Sequence, residues 1–138
     1  MSNVAAYLEA EVMEWCFNAA GFDAAPTDLY VGLHTGDPGN DGSANEVSAS
    51  DYTRAATTDA DWSVFASDGP KDATNANEIR FDTAQNAWGT VSHVTIWTDT
   101  IANGGGDCLW QGPIDSARDI QSGDRFVFPA DDFDLSLD

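Results

Sequence analysis

The sequence predicts a mainly β protein, a β-sandwich of about seven or eight short antiparallel strands with one N-terminal α-helix; a jelly roll is one such arrangement. Three observations predict it. Residues 3–20 carry a sustained helical period. Short alternating or β-branched runs recur through residues 29–138, separated by clusters of Gly, Asp, Asn and Pro. A length of 138 residues suits one domain with a core of its own. The chain is therefore expected to fold as a single domain, residues 1–138, with a helix over 3–20 and a β body over 29–138.

Within the helix, Val4, Tyr7, Leu8, Val12, Trp15, Cys16 and Ala19 fall at spacings of three and four and form one apolar stripe. Asn3 is a suitable N-cap, and Gly21 is placed to end the helix in the left-handed C′ conformation. Glu9, Glu11 and Glu14 lie outside the stripe, while Met13 and Phe17 widen the apolar surface. A helix so apolar must cover something. That makes Val4, Leu8, Val12, Trp15 and Phe17 candidate assembly residues, packed on the body of their own chain or on a neighbouring subunit.

The body opens with LYVGLHTGDPG, residues 29–39. Leu29, Val31 and Leu33 alternate with Tyr30, Gly32 and His34, as a strand requires, and Thr35, Gly36, Asp37, Pro38 and Gly39 then break into a turn. Gly32 would let another segment approach the strand closely. Residues 37–51 hold little to bury and read as a surface loop. Residues 52–56 and 62–66 read as short strands separated by TTDAD, and 67–77 as a second polar loop. EIRFD at 78–82 alternates Ile79 and Phe81 against Arg80.

Residues 89–98 contain the strongest strand signal, with Val94 and Ile96 on one face and Val91, His93, Thr95 and Trp97 on the other. NGGGD at 103–107 turns the chain and 108–112 returns as its partner. Residues 113–120 read as irregular or extended, and 125–128 as a further strand. In the closing segment Phe133, Leu135 and Leu137 alternate with Asp134, Ser136 and Asp138.

Charge narrows the function classes. There are 24 acidic residues, nineteen of them Asp, against five basic ones, for a net charge of −19, and Lys71 is the only lysine. Such self-repulsion is largely screened in molar salt, where the Debye length falls to about 3 Å, so the composition predicts a halophilic protein. Nucleic acid is not an expected partner, because displacing counterions from phosphates needs Lys and Arg. No membrane span or signal peptide is expected either: no apolar run approaches the ~20 residues a span needs, and no basic region precedes an apolar one. Cys16 and Cys108 read as small buried hydrophobes rather than a disulfide.

Chemistry-bearing patterns are sparse. His34 and His93 both sit in predicted strands and read as packed or hydrogen-bonded residues, and no nucleophile elbow, zinc-helix, phosphate-loop or paired-cysteine motif occurs. The run DPGNDGSANE at 37–46 departs from a calcium loop, with Gly39 and Ser48 where ligands would be needed. No catalytic residue, cofactor or metal is expected.

Several stretches in order carry a resemblance: LYVGLHTGDPG, NEV at 45–47, YTRAA at 52–56, EIRF at 78–81, WGTVSHVTIW at 88–97 and GDRFVFPADDFDLSLD at 123–138. Over residues 29–138 the sequence resembles a family of small virion proteins of tailed bacteriophages and of tailed viruses of haloarchaea, commonly labelled tail fibre proteins. The resemblance implies a β-sandwich virion component assembled as a symmetric oligomer, without enzymatic activity. The expected function is a structural protein of a haloarchaeal tailed virus, foremost an oligomeric capsid decoration or turret subunit on the capsid exterior. The alternative is a tail fibre or tail-tip adhesin that binds a host-surface ligand through the 37–51 and 67–77 loops. Expected partners are copies of the chain, as a trimer first and a pentamer second, and other virion proteins such as the major capsid protein. Synthesis would take place in the host cytoplasm.

Overall fold

The computed structural model describes residues 3–18, 26–64 and 72–136. In chain order these form β1 (Asn3–Val4), α1 (Ala6–Phe17), β2 (Asp28–His34), β3 (Ala55–Thr58), β4 (Trp62–Val64), β5 (Asp72–Asn75), β6 (Ile79–Arg80), β7 (Gly89–Trp97), β8 (Cys108–Ile120), β9 (Val127–Phe128) and β10 (Leu135–Ser136). Every pairing is antiparallel. One sheet has five strands in the order β1-β8-β7-β2-β3, a second has three in the order β10-β5-β4, and a third pairs β6 with β9. The mainly β class with a single N-terminal helix is as expected. No helix among the described residues is long and apolar enough to cross a membrane.

One face of the five-stranded sheet meets the two small sheets across the main core. Val31 and Leu33 of β2, and Val91, Val94 and Ile96 of β7, join Ile79, Phe81, Phe126, Phe128, Phe133 and Leu135 in one buried cluster. Aromatic rings fill it edge to face or tilted, with Phe126 and Phe128 4.8 Å apart, Phe128 and Phe133 4.7 Å, and Tyr52 and Trp88 5.3 Å between centroids. The alternation of Phe133 and Leu135 against exposed Asp134 is seen; Leu137 and Asp138 lie outside the described residues.

The opposite face of the same sheet is covered as well. Ala5, Trp97 and Cys108 form a second, smaller buried cluster, with Tyr30 packed on it. The β2–β3 connection folds back across this face, and α1 packs along β8. A sheet with both faces covered explains why β7 is apolar or β-branched on its two sides.

Several expectations need correction. The chain enters extended, because Asn3 and Val4 pair with Gln111 and Trp110 of β8. Ala5 is fully buried and donates its N–H to Leu109 O. The helix accordingly begins at Ala6, with Ala5 and not Asn3 at the N-cap position; Ala6 N–H goes to Asn40 O. Ala19, Ala20 and Gly21 lie outside the described residues. Val91 shares the core face with Val94: the β7–β8 register shifts between Val91 and His93, where β8 carries three residues more than β7, and the alternation of β7 changes across this irregularity.

Residues 113–120 are no separate segment but continue β8. Pro113 is tolerated there because it lies past the residues that β1 pairs, at the edge of the bulged part of β8. The strand expected over 52–56 starts only at Ala55, and 52–54 leave the ladder to place side chains elsewhere. Thr57 and Thr58 continue β3, and residues 59–61 make a single 3-10 turn closed by a Thr58–Asp61 capping box. Part of the supposed 67–77 loop is β5, held by Asn75, whose buried side chain donates to Asn77 O and Pro129 O and accepts from the N–H groups of Asp132 and Phe133. A polar sequence hides this strand because hydrogen bonds, not apolar contacts, fix it. Phe65 to Lys71 lie outside the described residues.

Candidate functional site

The opening motif is where the two faces of the large sheet are tied together. Its strand half, β2, sends Val31 and Leu33 into the main core and Tyr30, Gly32 and His34 to the second face, as the alternation predicts. Leu29 is half-buried against the core. Gly32 is small of necessity: a Cβ built there would lie 2.6 Å from Thr95 Oγ1 and 3.1 Å from Glu46 Oε2. The expected close approach is therefore made by side chains of β7 and of the returning connection.

Next to Gly32, a chain of hydrogen bonds fixes His34. Trp97 Nε1 donates to Thr95 Oγ1 at 2.6 Å, leaving the threonine hydroxyl to donate to His34 Nε2 at 2.8 Å. The other ring nitrogen, Nδ1, then carries the proton and donates to Ala44 O at 2.8 Å. Burial lowers the His34 pKa below its ordinary value, with the Ala44 carbonyl and Glu46 opposing it and Arg54 and His93 adding to it. Fully buried and bonded at both nitrogens, His34 is a packing residue here.

Glu46 and Arg54 occupy the same face as a buried ion pair. Arg54 Nε donates to Glu46 Oε2 at 2.8 Å and Nη2 to Oε1 at 2.9 Å, with side chains 0% and 2% exposed. Nη1 donates to Asp99 O at 2.9 Å and Gly105 O at 2.8 Å, and the guanidinium stacks 3.9 Å above the Trp97 ring. Glu46 also accepts from Tyr52 Oη at 3.1 Å and from Asn103 N–H at 2.7 Å, while Tyr52 Oη accepts from Leu33 N–H at 2.8 Å. Burial pushes the Glu46 carboxyl up, but the Arg54 hydrogen bonds, the Asn103 amide and the nearby positive charges outweigh it and leave the pKa lowered. The Tyr52 hydroxyl is pushed up, chiefly by burial and then by Glu46.

The turn half of the motif starts a connection that is not the solvated loop its composition suggests. Pro38, Gly42, Glu46 and Val47 are buried. Asp37 Oδ1 accepts from Gly39 N–H at 2.9 Å, and Asn45 Nδ2 donates to Asp37 O at 2.9 Å, which closes the turn. Gly42 sits at φ 76°, so close above the sheet that a Cβ would meet Cys108 Sγ at 2.5 Å. Thr35 and Asp37 stay exposed, while Gly36 and Gly39 are half-buried. Close packing rather than apolar mass covers this face, and hydropathy cannot register that.

The helix candidates divide. Val4 belongs to β1, Leu8 and Val12 are half-buried, and Trp15 and Phe17 are 56% and 76% exposed. Cys108 is buried, and its thiol is pushed up to about 12 by burial, whereas Cys16 is exposed, contrary to expectation; neither is bridged. Among the described residues no group of three or more His, Cys, Asp or Glu is arranged to hold a metal ion. Sequence reasoning missed the Glu46–Arg54 pair, Tyr52 and Asn103. The available signal was an arginine between Thr53 and two alanines, in a chain with only four arginines: a basic residue set among small side chains beside a strand needs a buried acid.

This arrangement does mechanical work, locking residues 36–47 and the β7–β8 turn onto one rigid sheet. NEV and YTRAA, two of the stretches that carry the resemblance, contain the two halves of the ion pair. Comparison with curated proteins gives no match. The family model described as Podophage GP4 fiber I protein gp80 matches residues 3–136, from β1 through β10. The chain belongs to that family and is a virion protein of the phage-fibre type.

Proposed function

We propose that this chain is a non-enzymatic tail-fibre subunit, assembled with copies of itself and presenting loops on a rigid sandwich to the host surface, in a haloarchaeal tailed virus. The observation that carries the proposal is the fibre-family match over residues 3–136. It favours the tail, the alternative in the sequence reading, over the capsid exterior that the sequence reading had put first. The buried ion pair supports the adhesin role by bracing the β7–β8 turn: Arg54 holds Asp99 and Gly105 from beneath, and Ile101 at the tip is 60% exposed. A loop held in place loses little entropy when it binds.

Antibody labelling of purified virions by electron microscopy tests the location. Label at the tail is expected, and label spread over the head would overturn the reading. The high-salt setting rests on the net charge of −19 with a single lysine. Dilution to low ionic strength should collapse the circular dichroism spectrum, and an unchanged spectrum would refute halophily.

A further inference from the structure

The β7–β8 turn is tied down through an asparagine that its own sequence makes reactive. Of the chain's asparagines only Asn103 precedes a glycine, and the turn demands glycine at 104, whose φ of 143° is an angle that residues with a Cβ rarely adopt. Both residues are exposed to water. With no side chain on Gly104 to block it, the Gly104 nitrogen can reach the Asn103 carboxamide in an open chain. That reaction is deamidation. The Gly104 nitrogen gives up its proton and bonds to Asn103 Cγ, the Cγ–Nδ2 bond breaks, and Nδ2 leaves as ammonia with that proton. Water then opens the cyclic imide to an aspartyl or isoaspartyl residue.

The fold opposes both requirements of the first step. Asn103 Nδ2 donates to Val47 O at 3.0 Å, so bringing the carboxamide onto the Gly104 nitrogen costs a bond to the connection that covers the sheet. Asn103 N–H donates to Glu46 Oε1 at 2.7 Å, which ties the backbone here to the buried ion pair. The same bond keeps a carboxylate one residue from the nitrogen that must lose its proton, and a neighbouring negative charge disfavours that loss.

We propose that Asn103–Gly104 is a modification site that the fold holds shut, and that its deamidation, once the turn opens, unlatches the β7–β8 turn for good. The product carries a carboxylate where Val47 O needs a donor, and no rotation of a carboxylate supplies one. It also sets a further negative charge beside Glu46, the acid that Arg54 holds in a bidentate pair. Refolding cannot restore the latch, because the amide has left as ammonia.

Mass spectrometry of the peptide containing Asn103 tests the guard, with the full chain held at alkaline pH either folded in molar salt or unfolded in guanidinium chloride of the same ionic strength. Deamidation at Asn103 should be slower in the folded chain by roughly tenfold or more, since two hydrogen bonds must open before the attack. Equal rates in the two states would overturn the guard. Asn103→Asp reproduces the charge of the product and tests the latch. The Gly105 amide, which donates to Ile101 O within the turn, should exchange with solvent about tenfold faster in that variant than in the wild type in molar salt. Unchanged exchange at Gly105 would overturn the unlatching.

Discussion

The face of β2 around Gly32 and the outer side of α1 break the ordinary partition of residues in opposite ways. The first buries a glutamate, an arginine and a histidine; the second exposes a methionine and a phenylalanine. Around Gly32 the chain supplies every partner itself, since each ring nitrogen of His34 is bonded and the Glu46–Arg54 pair is bidentate. Along α1, Met13 and Phe17 find no such cover among the described residues. A buried polar cluster completed within one chain fixes the shape of the subunit, whereas exposed apolar side chains at the end of a helix leave that shape unchanged.

The largest effect should come from breaking the inner cluster. Arg54→Leu leaves Glu46 buried without its partner and should cost about 3–5 kcal/mol in chemical denaturation at constant salt. Adding Glu46→Gln should recover part of that loss, because the uncompensated charge is gone; strict additivity of the two substitutions would show that they do not act as a pair. Gly32→Ala comes next, at about 1–3 kcal/mol, because its Cβ would press on Thr95 Oγ1 at 2.6 Å. A Gly32→Ala protein as stable as wild type would mean that the β7 side chains are not held where the hydrogen bonds put them.

Acidification sharpens the contrast further. His34 has a lowered pKa in the fold, so as pH drops below the unfolded value of 6.5 the unfolded chain takes up a proton that the folded one refuses, and stability falls. Glu46, also lowered, adds a second loss of the same sign below 4.5, and Asp51 a third below 3.8, its carboxylate held at about 2 by Asn86, the Gln85 N–H and Trp88. Melting temperature followed at fixed salt should be flat above neutrality and decline below pH 6.5. His34→Gln should remove the upper part of that decline and leave the lower part. The smallest effect on the subunit should come from α1: Phe17→Gln should change monomer stability by less than about 0.5 kcal/mol, since the side chain is exposed.

How much of this the sequence disclosed follows from the kind of force at work. Period-two alternation revealed β2 and the Phe133–Leu135 segment because apolar burial on one face writes itself into hydropathy. The β7–β8 hairpin was legible from β-branched residues around NGGGD. Elements fixed by hydrogen bonds or close packing were not. Strand β5 rests on Asn75, residues 37–47 are pinned to the sheet where Pro38 and Gly42 are buried, and the β7–β8 register shift beside Val91 has no compositional mark. Gly32 was legible as a point of close approach, but the identity of what approaches it, Thr95 and Glu46, required the register of three strands. The helix was read as one continuous stripe because a 3.6-residue period cannot show that Asn3 and Val4 are captured by the edge of β8.

The central claim is that this sandwich is a subunit of a viral tail fibre whose shape is set from within by the buried Glu46–Arg54 cluster. A reconstruction of the intact virion tests it most directly. The account predicts density for the five-stranded sheet and its helix on the tail. Density for the same fold on the head lattice would contradict it.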